Sequence, residues 1–171
     1  MMRARVMTTA PLLVALLLGG ITTASADAAD PAPAASDGGW ILPLPGARVV
    51  RGFDAPAHEY APGHRGVDLA GAPDATVLAP ASGVVAFAGQ VAGRAVMTID
   101  HGDGTVSSLE PVETILTAGA AVSAGSAIGS LSPGGHVGPG TLHLGARHDG
   151  EYVDPMLLLG GVPRAVLLPC C

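Results

Sequence analysis

The sequence predicts an all-β domain, a compact and mainly antiparallel sandwich or half-barrel over residues 40–160. Three observations carry that expectation. The apolar runs are short and bounded by turn residues, as half-buried strands are. Twenty-five glycines and fifteen prolines punctuate a chain of 171 residues. No stretch between residues 40 and 155 keeps the 3.6-residue apolar period that an amphipathic helix needs.

Taken in chain order, Arg3 and Arg5, the apolar run Pro11–Leu18 and the small-x-small site Ala24-Ser25-Ala26 predict a secretory signal peptide over residues 1–26. The run is too short for a mature membrane span, so the expected product is secreted and cell-wall associated after cleavage; the alternative is an uncleaved anchor. No cysteine stands at the cleavage site, which argues against a lipid anchor. Residues 27–39, rich in Ala, Pro and Asp, read as a flexible linker. Order begins at Trp40-Ile41-Leu42-Pro43-Leu44-Pro45-Gly46. Strands are expected at Val77–Ala79, Gly83–Ala88, Ala95–Asp100, Thr105–Leu109, Ala127–Leu131 and Thr141–Arg147, with a closing turn or short helix at Leu157–Leu159. Residues 161–171 form a tail. Its Cys170 and Cys171 are the only two cysteines, and adjacent cysteines bridge each other only under strain.

The net charge is −6, and all eight basic residues are arginine. Cleavage after Ala26 removes two of them and no acid. That balance excludes nucleic acid and anionic lipid as partners, since both need cationic surfaces. The segment Gly119-x-x-Val122-x-x-Gly125-x-x-Ile128-Gly129 is similar to the hairpin of biotinyl and lipoyl carriers, but a carrier needs an acceptor lysine and the chain has none.

The chemistry concentrates in His64-Arg65-Gly66-Val67-Asp68 and Leu142-His143-Leu144-Gly145. Two imidazoles and one carboxylate are what a catalytic zinc site takes from a protein while leaving a fourth position open. The flanks agree: Gly63 to Ala70 followed by Val77-Leu78-Ala79-Pro80-Ala81-Ser82-Gly83-Val84-Val85 closely resembles the lysostaphin/LytM-type zinc endopeptidase domain, a duplicated hybrid motif fold. Members of that family cut the peptide cross-links of bacterial cell walls. The resemblance spans residues 40 to 160 and implies that His64, Asp68 and His143 bind Zn2+.

The resemblance also exposes departures. The first His of the family's H-x-H falls on Thr141. The strand after His101-Gly102-Asp103-Gly104 normally carries Tyr and His, here Leu109 and Pro111. Neither Pro111 nor Thr141 can replace an acid–base imidazole near neutral pH, and such a group is typically worth about 10²–10⁴ in rate. Glu110 is one residue from the missing His and by strand alternation is expected on the opposite face. His136, in the loop before the His143 strand, is the candidate catalytic replacement. His58 and His148 are expected at the surface, and His101 in a structural turn. Asp154, before Pro155, is read as a turn-maker, and Arg65 as a surface arginine able to meet a substrate carboxylate. The resemblance thus implies two open functions. One is a secreted zinc metallo-endopeptidase of peptidoglycan with weakened catalysis. The other is a non-catalytic domain that binds peptidoglycan or its stem peptides, or activates a partner cell-wall hydrolase.

Overall fold

Short apolar runs separated by Gly and Pro become strands throughout. The computed structural model describes residues 39–58, 60–135 and 137–160. The predicted leader (1–26), the linker to residue 38, the tail 161–171 with Cys170 and Cys171, and His136 lie outside the described residues. The elements are β1 (Arg48–Arg51), β2 (Gly66–Ala70), β3 (Thr76–Leu78), β4 (Gly83–Val91), β5 (Arg94–Asp100), β6 (Thr105–Glu110), β7 (Val112–Glu113), β8 (Ala121–Val122), β9 (Ala127–Leu131), β10 (Thr141–His148), β11 (Glu151–Val153) and one short helix, α1 (Pro155–Leu158). The six expected strands are all present. β1, β2, β7, β8 and β11 were not among them.

An eight-stranded sheet runs β1-β2-β10-β6-β5-β4-β8, with β11 also paired to β10, and β3-β9-β7 form a smaller sheet. All their pairings are antiparallel. The sheets do not close into a barrel. Two hairpins are set by two-residue turns with positive φ at both positions: Ala92-Gly93 (50° and 77°) joins β4 to β5, and Asp149-Gly150 (49° and 88°) joins β10 to β11. Such turns match the twist of the strands they join.

Alternation along the central strands makes the core. Val67 and Leu69 on β2, Leu142 and Leu144 on β10, Leu109 on β6, and Met97 and Ile99 on β5 are fully buried, with Val77, Ile128 and Leu131 of the smaller sheet in the same cluster. Burying each such side chain stabilises the fold by about 1.5–3 kcal/mol. The residues between them therefore face the other way, and that second face carries the site. β1 is exposed along its length and ends in arginines, which discourages pairing of its edge with another chain.

His101 is structural, as its turn suggested. Its Nδ1 donates to the Ser82 carbonyl at 2.9 Å, its Nε2 meets Ser107 Oγ at 2.9 Å, and its ring lies 5.0 Å from that of Trp40. Burial pushes its pKa down, outweighing the Ser82 bond and the charges of Asp103 and Asp100. The unfolded chain therefore takes up this proton near pH 6.5 while the folded chain resists it, so stability present above about pH 6.5 falls as pH drops towards the folded value. The expected result is a wild-type Tm that declines on acidification more steeply than that of His101→Gln. Parallel curves would show that His101 contributes nothing to acid sensitivity.

Candidate metal centre

The chain reaches the site through a bridge between Asp54 and His64, whose backbones exchange hydrogen bonds of 2.8 and 2.9 Å. A Cβ at Gly63 would come within 2.7 Å of the Asp54 carbonyl, so this approach requires glycine. His64 is buried and its Nδ1 meets the Gly52 carbonyl at 2.7 Å. A carbonyl only accepts, so Nδ1 carries a proton and Nε2 is the nitrogen that points inward at Asp68 and His143. An outer carbonyl fixing the tautomer in this way is the usual support for a metal-ligating histidine.

Asp68 and His143 are direct partners across β2 and β10, which puts both side chains on the same face of the sheet. His64 Nε2 lies 3.0 Å from Asp68 Oδ1 and 3.2 Å from His143 Nδ1, and His143 Nδ1 lies 2.8 Å from the same Oδ1. Among the described residues this is the group of His, Cys, Asp and Glu whose donor atoms could hold one ion. Tetrahedral ligands at zinc distances stand about 3.3–3.6 Å apart, and the observed triangle is slightly tighter. Two nitrogens crowded on one carboxylate oxygen concentrate lone pairs that a cation would satisfy. The donor set fits zinc, with three protein ligands grouped to one side.

Gly66 makes the convergence possible. A Cβ there would stand 2.7 Å from Cε1 and Nε2 of His143 and 2.4 Å from the Leu144 carbonyl. The glycine inside the His64–Asp68 motif therefore makes room for the third ligand's ring.

The remaining positions divide clearly. Thr141 shares the face of His143 two residues away and pairs with Ala70. Pro111 is buried one residue past the last β6–β10 pair, where the chain passes from the large sheet to the small one; its carbonyl accepts from Ser132 N–H at 3.2 Å. Glu110 corrects the sequence expectation. It is the direct partner of His143 on β6, so it lies on the metal face, buried, with Oε1 accepting from Arg94 Nη1 at 3.1 Å. Strand alternation counted from Pro111 as a site-face residue puts Glu110 on the wrong face. The register with β10 decides instead that Leu109 fills the core. A row of Arg51, Asp68, His143 and Glu110 thus crosses four adjacent strands. The arginine and glutamate ends of the row went unrecognised because only pairing reveals them.

His58 and His148 are exposed, although His148 Nδ1 also contacts Thr105 Oγ1 at 3.0 Å. Asp154 caps α1, accepting from Met156 N–H at 2.9 Å, in keeping with a turn-making role. Arg65 donates to the Ala61 carbonyl at 3.3 Å beside the ring of Tyr152. His136 lies outside the described residues.

Known proteins are similar to this chain in sequence and in fold. The family model for peptidase family M23 matches residues 62–155, which include all three candidate ligands. The uncharacterized protein Rv2891 of Mycobacterium tuberculosis is 45% identical over 141 residues, covering 77% of this chain. The chain spans 56% of that relative's length. Among solved structures, a zinc-containing peptidase from Vibrio cholerae superposes with a TM-score of 0.59 at 22% identity over 69% of this chain and 39% of its own. SpoIIQ in the SpoIIQ–SpoIIIAH pore-forming complex gives 0.62 at 21% identity over 72% and 92%. The catalytic domain of lysostaphin from Staphylococcus simulans gives 0.58 at 21% over 67% and 92%. These similarities establish a shared lysostaphin-like fold. With the family model matching more than half its length, the chain belongs to peptidase family M23.

Proposed function

We propose that this protein is a secreted, zinc-dependent metallo-endopeptidase-like domain directed at the peptide cross-links of peptidoglycan, with weakened catalysis. The observation that carries the reading is the convergence of His64 Nε2, Asp68 Oδ1 and His143 Nδ1 within 3.2 Å of one another. When bound there, zinc supplies a Lewis acid that polarises a peptide carbonyl and brings the pKa of water to about 7. The chain's own residues then have to orient the peptide and move protons. By the family resemblance Thr141 and Pro111 replace imidazoles, and neither can carry a proton at neutral pH. We assign the vacated role to His136, the histidine that precedes the His143 strand in the sequence.

The same losses support a second reading, a domain that holds peptidoglycan or activates a partner hydrolase without cutting. SpoIIQ, which shares the fold, is found in a pore-forming complex with SpoIIIAH. The two readings separate in one experiment on the purified chain, measuring zinc content together with soluble fragments released from purified cell walls. Stoichiometric zinc with slow, chelator-sensitive release supports the endopeptidase. Zinc and wall binding without release supports the second reading. Absence of both zinc and wall binding overturns both.

A further inference from the structure

One irregularity of the large sheet sits beside the candidate ligands. Along β1 and β2, Arg48 pairs with Ala70 and Val49 with Leu69, and regular pairing would next set Val50 opposite Asp68. The sheet instead sets Arg51 there, with Val50 as the extra residue of a bulge. Bulges beside functional sites re-aim side chains in this way. Direct partners on antiparallel strands share a face, so the extra residue places an arginine on the face of Asp68 and His143. The next residue fixes the position a second time, because the Gly52 carbonyl accepts from His64 Nδ1 at 2.7 Å. Arg51 is held against two of the three candidate ligands, by pairing to Asp68 and by chain connection to His64.

Its charge is otherwise unanswered. Arg51 is exposed, and among the described residues its side chain has no hydrogen bond, ion pair or ring contact. Glu110, at the other end of the row, accepts from Arg94 at 3.1 Å. A guanidinium stays charged at any physiological pH. Zinc ligation needs neutral imidazoles, so a loaded centre keeps a net positive charge after the Asp68 carboxylate is counted. A second cation beside it is unfavourable unless a negative group lies between the two. The electrostatics of the row therefore call for a negatively charged oxygen at the open position.

We infer that Arg51 binds the carbonyl oxygen of the scissile peptide bond as negative charge develops on it. The inference rests on the proposed peptide-directed function and adds a catalytic residue to it. In the hydrolysis, the oxygen of water bonds to the carbonyl carbon and the C=O π pair moves onto the carbonyl oxygen. One proton of that water passes to the acceptor role assigned to His136, and on to the amine as the C–N bond breaks. Arg51 exchanges no proton. Its N–H donors hold the oxygen while it is negative, which is where a fixed donor accelerates acyl transfer most. The replaced imidazoles at positions 111 and 141 leave this task open, and Arg51 meets it from the β1 side of the ligands.

The test uses the zinc-loaded full chain with two probes, alongside binding to purified walls. One probe is N-acetyl-tetra-alanine amide; the other carries a phosphinic group in place of its central amide, tetrahedral and negative where the peptide is planar and neutral. The phosphinic probe is expected to bind the wild type about 10²-fold more tightly, as transition-state analogues do. Arg51→Gln should weaken it by roughly 10–100-fold, the scale of one hydrogen bond to a charged group, with peptide affinity, wall binding and melting temperature unchanged. Zinc, measured without either probe, should bind Arg51→Gln no more weakly than the wild type, since a like charge is removed. Arg51→Lys should keep part of the preference, as a point charge lacks the fork. Arg48→Gln, which removes the same charge from the other end of β1, should keep nearly all of it. A preference undiminished in Arg51→Gln, or lost equally in Arg48→Gln, overturns the inference. Weaker zinc binding by Arg51→Gln also overturns it, by making the arginine a structural support. In these cases the proposed function stands while zinc and walls still bind the wild type; if the wild type binds neither, the function fails together with the inference.

Discussion

Asp68→Ala is expected to abolish stoichiometric zinc binding at neutral pH, lowering affinity by more than the 10–100-fold typical of losing an outer support. Asp68 Oδ1 is the atom that both imidazoles share, at 3.0 and 2.8 Å; without it, only two ring nitrogens remain, facing each other at 3.2 Å. Zinc should correspondingly raise the melting temperature of the wild type and leave that of the variant unmoved, since only a ligand that binds the folded state stabilises it. Gly66→Ala should weaken zinc binding without removing any ligand, because its Cβ would enter the space of the His143 ring at 2.7 Å. Metal content by atomic absorption after dialysis reads both variants. Full zinc occupancy in Asp68→Ala would reject the metal assignment. Unchanged affinity in Gly66→Ala would show that the ring has another resting place.

Thr141→His is expected to increase release of wall peptides by about 10²-fold, the scale of one positioned acid–base group. Position 141 lies on the face of His143, so a histidine there keeps the strand and reaches the same side as the ligands. Pro111→His should gain less. Pro111 is buried between strands of two sheets with the Gly135 loop close against its ring, and an imidazole there needs both to move. In the proposed account, residual wild-type activity depends on His136, and His136→Ala should reduce it by about 10²-fold. Rapid wild-type cleavage, indifferent to both Thr141→His and His136→Ala, would show that the missing imidazoles do not limit this protein.

The all-β class, six of the strands and the family were legible in the sequence because each rests on local information. Gly and Pro set chain reversals, apolar runs set strands, and the glycine-flanked spacing of His64 and Asp68 sits within five consecutive residues. β1 and β11 escaped notice because the first is exposed along its length and the second only half-buried at best, and such strands leave no apolar run to read. β7 and β8, at two residues each, are too short for a period. Only the tertiary structure could bring His143 onto Asp68 from 75 residues away and place Tyr152 between Arg65 and Arg147. It alone turned Glu110 to the metal face. Strand alternation is a relative rule: it orders neighbours along one strand, but which face is the core is decided by pairing with the next strand, here by Leu109 and Leu144 meeting across β6 and β10.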